Sequence, residues 1–234
     1  MNPNPLNDIL DPEAQSFESV VAWINDKIKA IRQTDFTPDI QSTFTPVEFK
    51  ASLSRPMGPE TDPSWRRFFL SALISDWACY DNEIDRADFS RMKYVIASAY
   101  RTTRVWFCKL PDGLYAPVGY TCWYPIPKFV FDGSIENPQD IDDRGIFMPS
   151  RFKEPKDIRY AYVFDISIIP QLLNTQCSKK LALSMKREDM PGLGAISIAV
   201  GAQGHKFLQM AGFTSAGDIT VQGEKETLYV LHPK

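Results

Sequence analysis

Cysteine and histidine are scarce in this 234-residue chain. Cys79, Cys108, Cys122 and Cys177 lie far apart without a C-x-x-C pair, and His205 and His232 are the only imidazoles. That pattern suggests neither a disulfide framework nor a metal site. Buried or incidental thiols are expected instead. No charge of one sign dominates either: 26 basic and 29 acidic residues leave a net charge of −3. Such a chain has no whole-molecule field to draw in nucleic acid or an anionic membrane, and neither is expected as a partner. No apolar run approaches the roughly 20 residues of a membrane span. The opening Met-Asn-Pro-Asn-Pro-Leu-Asn-Asp lacks the basic segment and apolar run of a secretory signal. A cytoplasmic location is the default expectation. Internal repeats and low-complexity blocks are also missing.

What remains is an ordinary globular composition, 44% hydrophobic and 24% charged, fit for one large domain or one with a small appendage. Asp11 and Pro12 read as a cap and first helical position. Phe17, Val20, Val21, Ile24, Ile28 and Ile31 then recur at helical spacing, which predicts a helix over about 12–33. Five prolines between 34 and 63 predict a loop-rich connection with one strand near Val47 to Leu53. A second helix is expected after Asp62 and Pro63, and a third after Asp85 with Phe89, Met92, Val95 and Ile96 on one face. Trp23, Trp65, Phe68, Phe69 and Trp77 are expected in the core, with a docking face as the alternative.

Past residue 100 the period changes to two. Thr103 to Leu110 and Tyr115 to Tyr124 flank Pro111-Asp112-Gly113, a hairpin signal. Residues 125–156 carry prolines, phenylalanines and the acidic Asp140, Asp142 and Asp143, with little periodicity, and read as an irregular insertion. Then follow a strand from Arg159 to Ile169, a helix over about 174–188, a strand Ala195 to Val200, a helix over about 202–210, and a strand Thr227 to Leu231. The expected class is α+β, a mixed, mostly antiparallel sheet flanked by helices. The expected division is a helical N-terminal region, 1–95, packed on a core at 96–234.

The stretch Arg159 to Leu181 is the most informative. An apolar strand ends at Pro170, crosses a short polar loop and enters a helix, which aims backbone N–H groups at a phosphate-bearing ligand. Thr175, Gln176, Cys177 and Ser178 would donate those groups, with Lys179 and Lys180 as the nearest countercharges. Strand alternation places Val163, Asp165, Ser167 and Ile169 on one side and Phe164, Ile166 and Ile168 on the other. In so apolar a strand Asp165 is expected to be desolvated, which favours binding a proton and suits a base. An ion pair with Arg159 is the structural alternative. His205 could shuttle protons near neutral pH, although a surface histidine is the plainer expectation. Tyr160 and Tyr162 could act as acids or simply pack at the core rim.

Two signatures resemble the GCN5-related N-acetyltransferase (GNAT) superfamily. Ile168-Ile169-Pro170 matches the family's strand end, and the loop that follows enters a helix. Where the family has Arg, Gly, Gly and Gly/Ala, this chain has Leu173, Asn174, Gln176 and Ser178. The second signature, a helix ending in Phe-Tyr-x-x-x-Gly-Phe between two strands, is similar to Phe207-Leu208-Gln209-Met210-Ala211-Gly212-Phe213. Leu208 stands where many members carry the tyrosine that protonates the departing thiolate. Pro117 to Trp123 and Arg159 to Pro170 also resemble segments of the toxin-activating lysine acyltransferases, in which the aspartate matching Asp165 is catalytic beside an N-terminal histidine that this chain lacks.

The resemblance implies a GNAT-like fold and an acyltransferase that moves an acetyl or other acyl group from acyl-CoA to an amine, borne by a small molecule or a protein. It implies a catalytic role for Asp165; Tyr162 and His205 are further candidates by their own acid–base chemistry. It also implies cofactor contacts from the backbone at Ile166 and Ile168 and from Asn174, Thr175, Gln176, Cys177, Ser178 and Lys179. Two alternatives stay open: a catalytically inactive GNAT-like binding module, and an acyltransferase that takes its donor from acyl carrier protein through Lys179, Lys180, Lys186, Arg187 and Lys206.

Overall fold

A computed structural model describes residues 5–9, 16–50, 62–80, 86–140, 158–186, 190–221 and 223–233. Its element order is α1 (Phe17–Gln33), α2 (Pro38–Ser42), β1 (Thr45–Glu48), α3 (Pro63–Cys79), α4 (Phe89–Ser98), β2 (Thr103–Lys109), β3 (Tyr115–Pro125), α5 (Lys128–Glu136), β4 (Tyr160–Ile168), α6 (Gln176–Ser184), β5 (Gly194–Ala199), α7 (Gly201–Met210), β6 (Thr214–Val221) and β7 (Glu224–Leu231). The strands form one seven-stranded sheet in the order β1-β2-β3-β4-β5-β7-β6. The β1–β2, β5–β7 and β6–β7 pairs are antiparallel and β4–β5 is parallel. This is the expected mixed, mostly antiparallel sheet flanked by helices.

By internal contacts the chain divides into two units, Met1–Tyr120 with Ser167–Cys177, and Thr121–Ile166 with Ser178–Lys234. In the first, α1 buries Val20, Ile24, Ile28 and Ile31 at the spacing that predicted it. Ser16 caps it by accepting from the Ser19 amide; Asp11 and Pro12 lie outside the described residues. α3 starts where Asp62 and Pro63 indicated, the Asp62 carboxylate accepting from Ser64 N at 2.9 Å. It is apolar almost all round, and Trp65, Phe68, Phe69, Leu73 and Trp77 are buried. Trp23 is only half-buried, with the Lys27 ammonium over its ring. α4 is capped by Asp88, which accepts from Arg91 N at 2.8 Å; Asp85 lies outside the described residues. The strand expected near Val47 to Leu53 begins earlier, with β1 at Thr45–Glu48; residues 51–53 lie outside the described residues.

The hairpin signal is realised. Gly113 takes φ +88°, the Leu114 amide donates to the Asp112 carboxylate, and Leu110 N closes the turn on Leu114 O at 2.8 Å. In the second unit, Tyr162 packs on Tyr124 with ring centroids 5.3 Å apart, and Phe131 of α5 packs on Tyr160 at 4.7 Å. The first part of the stretch read as irregular at 125–156 is therefore helical. The α5 residues Phe131 and Ser134 turn inward although the surrounding prolines hide the period. Residues 141–157, with Asp142 and Asp143, lie outside the described residues. β6 has no counterpart among the expected strands: among its described side chains one apolar one, Ile219, is buried, so alternation cannot reveal it.

Candidate active site

β4 and β5 run side by side for only a short distance. Their parallel register covers Tyr160–Tyr162 against Gly194–Ile196. β5 then continues to pair with β7 as far as Ala199 and Thr227. Where the two strands part, Ser197 Oγ donates to the Val163 carbonyl at 3.2 Å, so a side chain replaces the missing ladder bond. Beyond that point the burial of β4 changes. Ala161, Tyr162 and Val163 are buried, Phe164, Asp165 and Ile166 are half-buried, and Ser167 and Ile168 are buried again. The β4–β5 ladder ends there, and an extended ligand carrying amides can add along a strand where its ladder with a neighbour stops.

Asp165 sits in this opening. Ala161 pairs with Ala195 and Ser197 with Tyr229, so these four side chains share one face of the sheet. The desolvated carboxylate expected from the apolar sequence is only partly so, since the strand opens at that residue. Tyr162 pairs with Ile196, on the face opposite Ser197, and is buried against Tyr124. His205 of α7 is half-buried, and its Nδ1 lies 3.1 Å from the Tyr229 hydroxyl, which also accepts from Gln209 Nε2 at 3.4 Å. The sequence showed nothing to orient His205; Tyr229, 24 residues later, does so. Tyr162 and His205 thus have aromatic partners of their own, Tyr124 and Tyr229. Leu208 is buried. Near His205, burial and the neighbouring Glu224 push the Glu226 carboxyl above the ordinary glutamate range, with His205 pulling weakly the other way.

The loop after β4 begins as Ile169 N donates to Val118 O at 2.9 Å, and Pro170–Leu172 make a single 3-10 turn. Asn174 then takes φ +62°. That is the left-handed conformation, which asparagine tolerates better than other residues with a Cβ. Thr175 caps α6: its hydroxyl accepts from Cys177 N at 3.1 Å and donates to Leu172 O at 2.7 Å. The Cys177 amide is thereby engaged within the loop. Its thiol is buried and reaches the Gln41 carbonyl at 3.6 Å. Ser178 is fully buried, whereas Asn174, Gln176 and Lys179 are exposed at the helix entrance. Ile168 is buried and Ile166 half-buried on β4.

Sequence reasoning missed Ser197, Tyr229 and two further polar residues. Asp76, fully buried in α3, accepts from Ala87 N at 3.0 Å, and its other oxygen lies 3.5 Å from Ser167 Oγ. A carboxylate inside Leu73-Ile74-Ser75-Asp76-Trp77 was the available signal. Thr121 of β3 is 1% exposed, and its hydroxyl has no hydrogen-bond partner. Among the described residues no group of three metal-ligating side chains occurs, and no helix is long and apolar enough to cross a membrane.

No family model and no curated protein matches the sequence. Solved structures resemble it loosely. One, described as histone acetyltransferase HPA2 and related acetyltransferase from Corynebacterium glutamicum, is 13% identical, with 82% of this chain and 97% of that one covered at a TM-score of 0.46. The GNAT-like decarboxylase GphF, solved with isobutyryl-CoA, is 12% identical over 70% of this chain and 94% of its own, with a TM-score of 0.48. A chain of the NatC complex, solved with Gag peptide and CoA, is 11% identical over 82% of this chain and 98% of its own, with a TM-score of 0.47. At these values the likeness is one of general shape and not of matched site residues.

Proposed function

We propose that this protein is an acyl-CoA-dependent N-acyltransferase of GNAT type, which transfers an acetyl or similar acyl group to an amine. The observation that carries the reading is the parting of β4 from β5 after Tyr162 and Ile196, with Phe164, Asp165 and Ile166 left half-open. The amide-bearing pantetheine arm of an acyl-CoA has the length and hydrogen-bonding groups to lie along such an edge. Asn174, Gln176 and Lys179, exposed at the entrance of α6, are the candidates for the phosphates. Thr175, Cys177 and Ser178 shape that turn from within.

In the proposed reaction Asp165 takes a proton from the acceptor amine, directly or through water. The amine nitrogen bonds to the thioester carbonyl carbon, and main-chain N–H groups at Ile166 and Ile168 steady the oxyanion. Collapse breaks the C–S bond and releases the CoA thiolate, which is protonated from solvent because Leu208 offers no proton. The buried Cys177 thiol is poorly placed for a covalent relay, so transfer is direct.

Calorimetry with CoA and a panel of acyl-CoAs, followed by mass-spectrometric detection of acylated amines, tests the reading. Binding with turnover that falls at least 100-fold in Asp165→Asn supports it. A chain that binds neither CoA nor any acyl-CoA overturns it. The second reading, an inactive binding module, is favoured by two observations: Thr175 engages one of the loop amides, and Leu208 is buried in the acid's place. It predicts binding without turnover with either acyl-CoA or acylated carrier protein as donor.

A further inference from the structure

The parallel ladder between β4 and β5 stops one bond early, and a side chain takes the place of that bond. The Gly194 amide donates to the Arg159 carbonyl at 2.8 Å, and the register runs on as far as Tyr162 and Ile196. In a parallel pair such bonds are evenly spaced, one for every second residue of each strand. The amides of Gly194, Ile196 and Ile198 therefore face β4, and those of Ala195, Ser197 and Ala199 face β7. The same repeat, carried four residues along both strands, would take the Ile198 amide to the Val163 carbonyl. The register ends before that bond. Val163 is 1% exposed, so its carbonyl needs a donor, and Ser197 Oγ supplies one at 3.2 Å.

This exchange releases the Ile198 amide from β4. Ile198 is half-buried, whereas Ile196 and Ser197 before it and Ala199 after it are buried. β5 thus opens at the residue that the ladder lets go, as β4 opens at Phe164, Asp165 and Ile166. A half-open position lets water satisfy the amide until a better acceptor arrives.

We propose that Ser197 is a positioning residue for the acyl donor: by holding the Val163 carbonyl it keeps the Ile198 amide free of β4, where that amide donates to a carbonyl of an extended, amide-bearing ligand such as the pantetheine arm. The inference rests on the acyltransferase reading and adds a contact from β5 to those proposed for β4. It concerns binding alone, so it holds equally for a module that binds CoA without turnover.

The test compares wild type with Ser197→Ala and Ser197→Thr by calorimetry with CoA and acyl-CoAs, by melting temperature, and by amide hydrogen exchange followed with NMR. In wild type the Ile198 amide should exchange faster than that of Ile196 and become protected when CoA binds. Ser197→Ala frees the Val163 carbonyl, which then takes the Ile198 amide and lengthens the ladder. That amide should exchange at least tenfold more slowly without ligand, the dissociation constant for CoA should rise about tenfold, and the melting temperature should stay within about 2 °C of wild type. Ser197→Thr keeps the hydroxyl and should restore both affinity and exchange. A serine that only stabilised the fold would lower the melting temperature on truncation and leave the dissociation constant unchanged, and that result overturns this inference alone. If Ser197→Thr fails to fold, an Ile198 amide that stays unprotected in Ser197→Ala overturns it in the same way. Wild type that binds neither CoA nor any acyl-CoA overturns it together with the acyltransferase reading.

Discussion

At the scale of single residues, two side chains in the loop after β4 do local work that glycine does elsewhere by having no side chain. Asn174 supplies the left-handed turn, and Thr175 closes the first turn of α6 with its hydroxyl. Thr175→Ala removes a cap and leaves the Cys177 amide without its acceptor. A loss of about 1 kcal/mol is expected, read from urea unfolding. Because the freed amide then points into the loop, any change in acyl-CoA affinity should be small or favourable. Glu226 carries a pH signature. Its carboxyl is raised in the folded state, so the fold binds this proton more readily than the unfolded chain. The resulting stability is fully present below the ordinary glutamate range and is lost as pH rises through the raised folded value. The side chain keeps much of its solvent contact, so the effect is modest. Denaturant titrations between pH 4 and 8 should show Glu226→Gln losing less stability than wild type over that rise.

At the scale of elements, strong periodicity was readable and weak periodicity was not. α1, α3, the β2–β3 hairpin and β4 announce themselves through apolar spacing, aspartate caps and Asp112-Gly113. β6 does not, because it is an edge strand paired only with β7 and buries little more than Ile219. It is held by backbone geometry instead. The register shifts between Ser215 and Gly217, and Gly217 takes φ +152° with Pro138 Cγ 3.2 Å from where a Cβ would stand. Gly217→Ala is therefore expected to cost about 1–2 kcal/mol in a thermal melt, although the side chain added is small. The same logic explains α5: its inward residues are few, and prolines on both sides blur the helical period.

At the scale of the whole molecule, the proposed function depends on where pairing stops. The β4–β5 ladder ends after three residues, and Ser197 covers the Val163 carbonyl at that point. If acyl-CoA binds the folded chain there, saturation at 100 times the dissociation constant should stabilise it by about 2.7 kcal/mol. A rise in melting temperature with acyl-CoA concentration, missing with adenosine alone, is the expected readout. The residues themselves determined much of this protein. Local patterns of apolar spacing, caps and turn residues specify most helices and strands, the mixed class of the sheet, and the proline-ended strand that carries Asp165. Those signals act within a few positions and are written in order along the chain. The tertiary structure alone decided that Asp165 lies in a half-open stretch, that Tyr162 packs on Tyr124, and that His205 is oriented by Tyr229. Each depends on register between strands far apart in sequence, where a shift of one residue would turn every side chain to the other face.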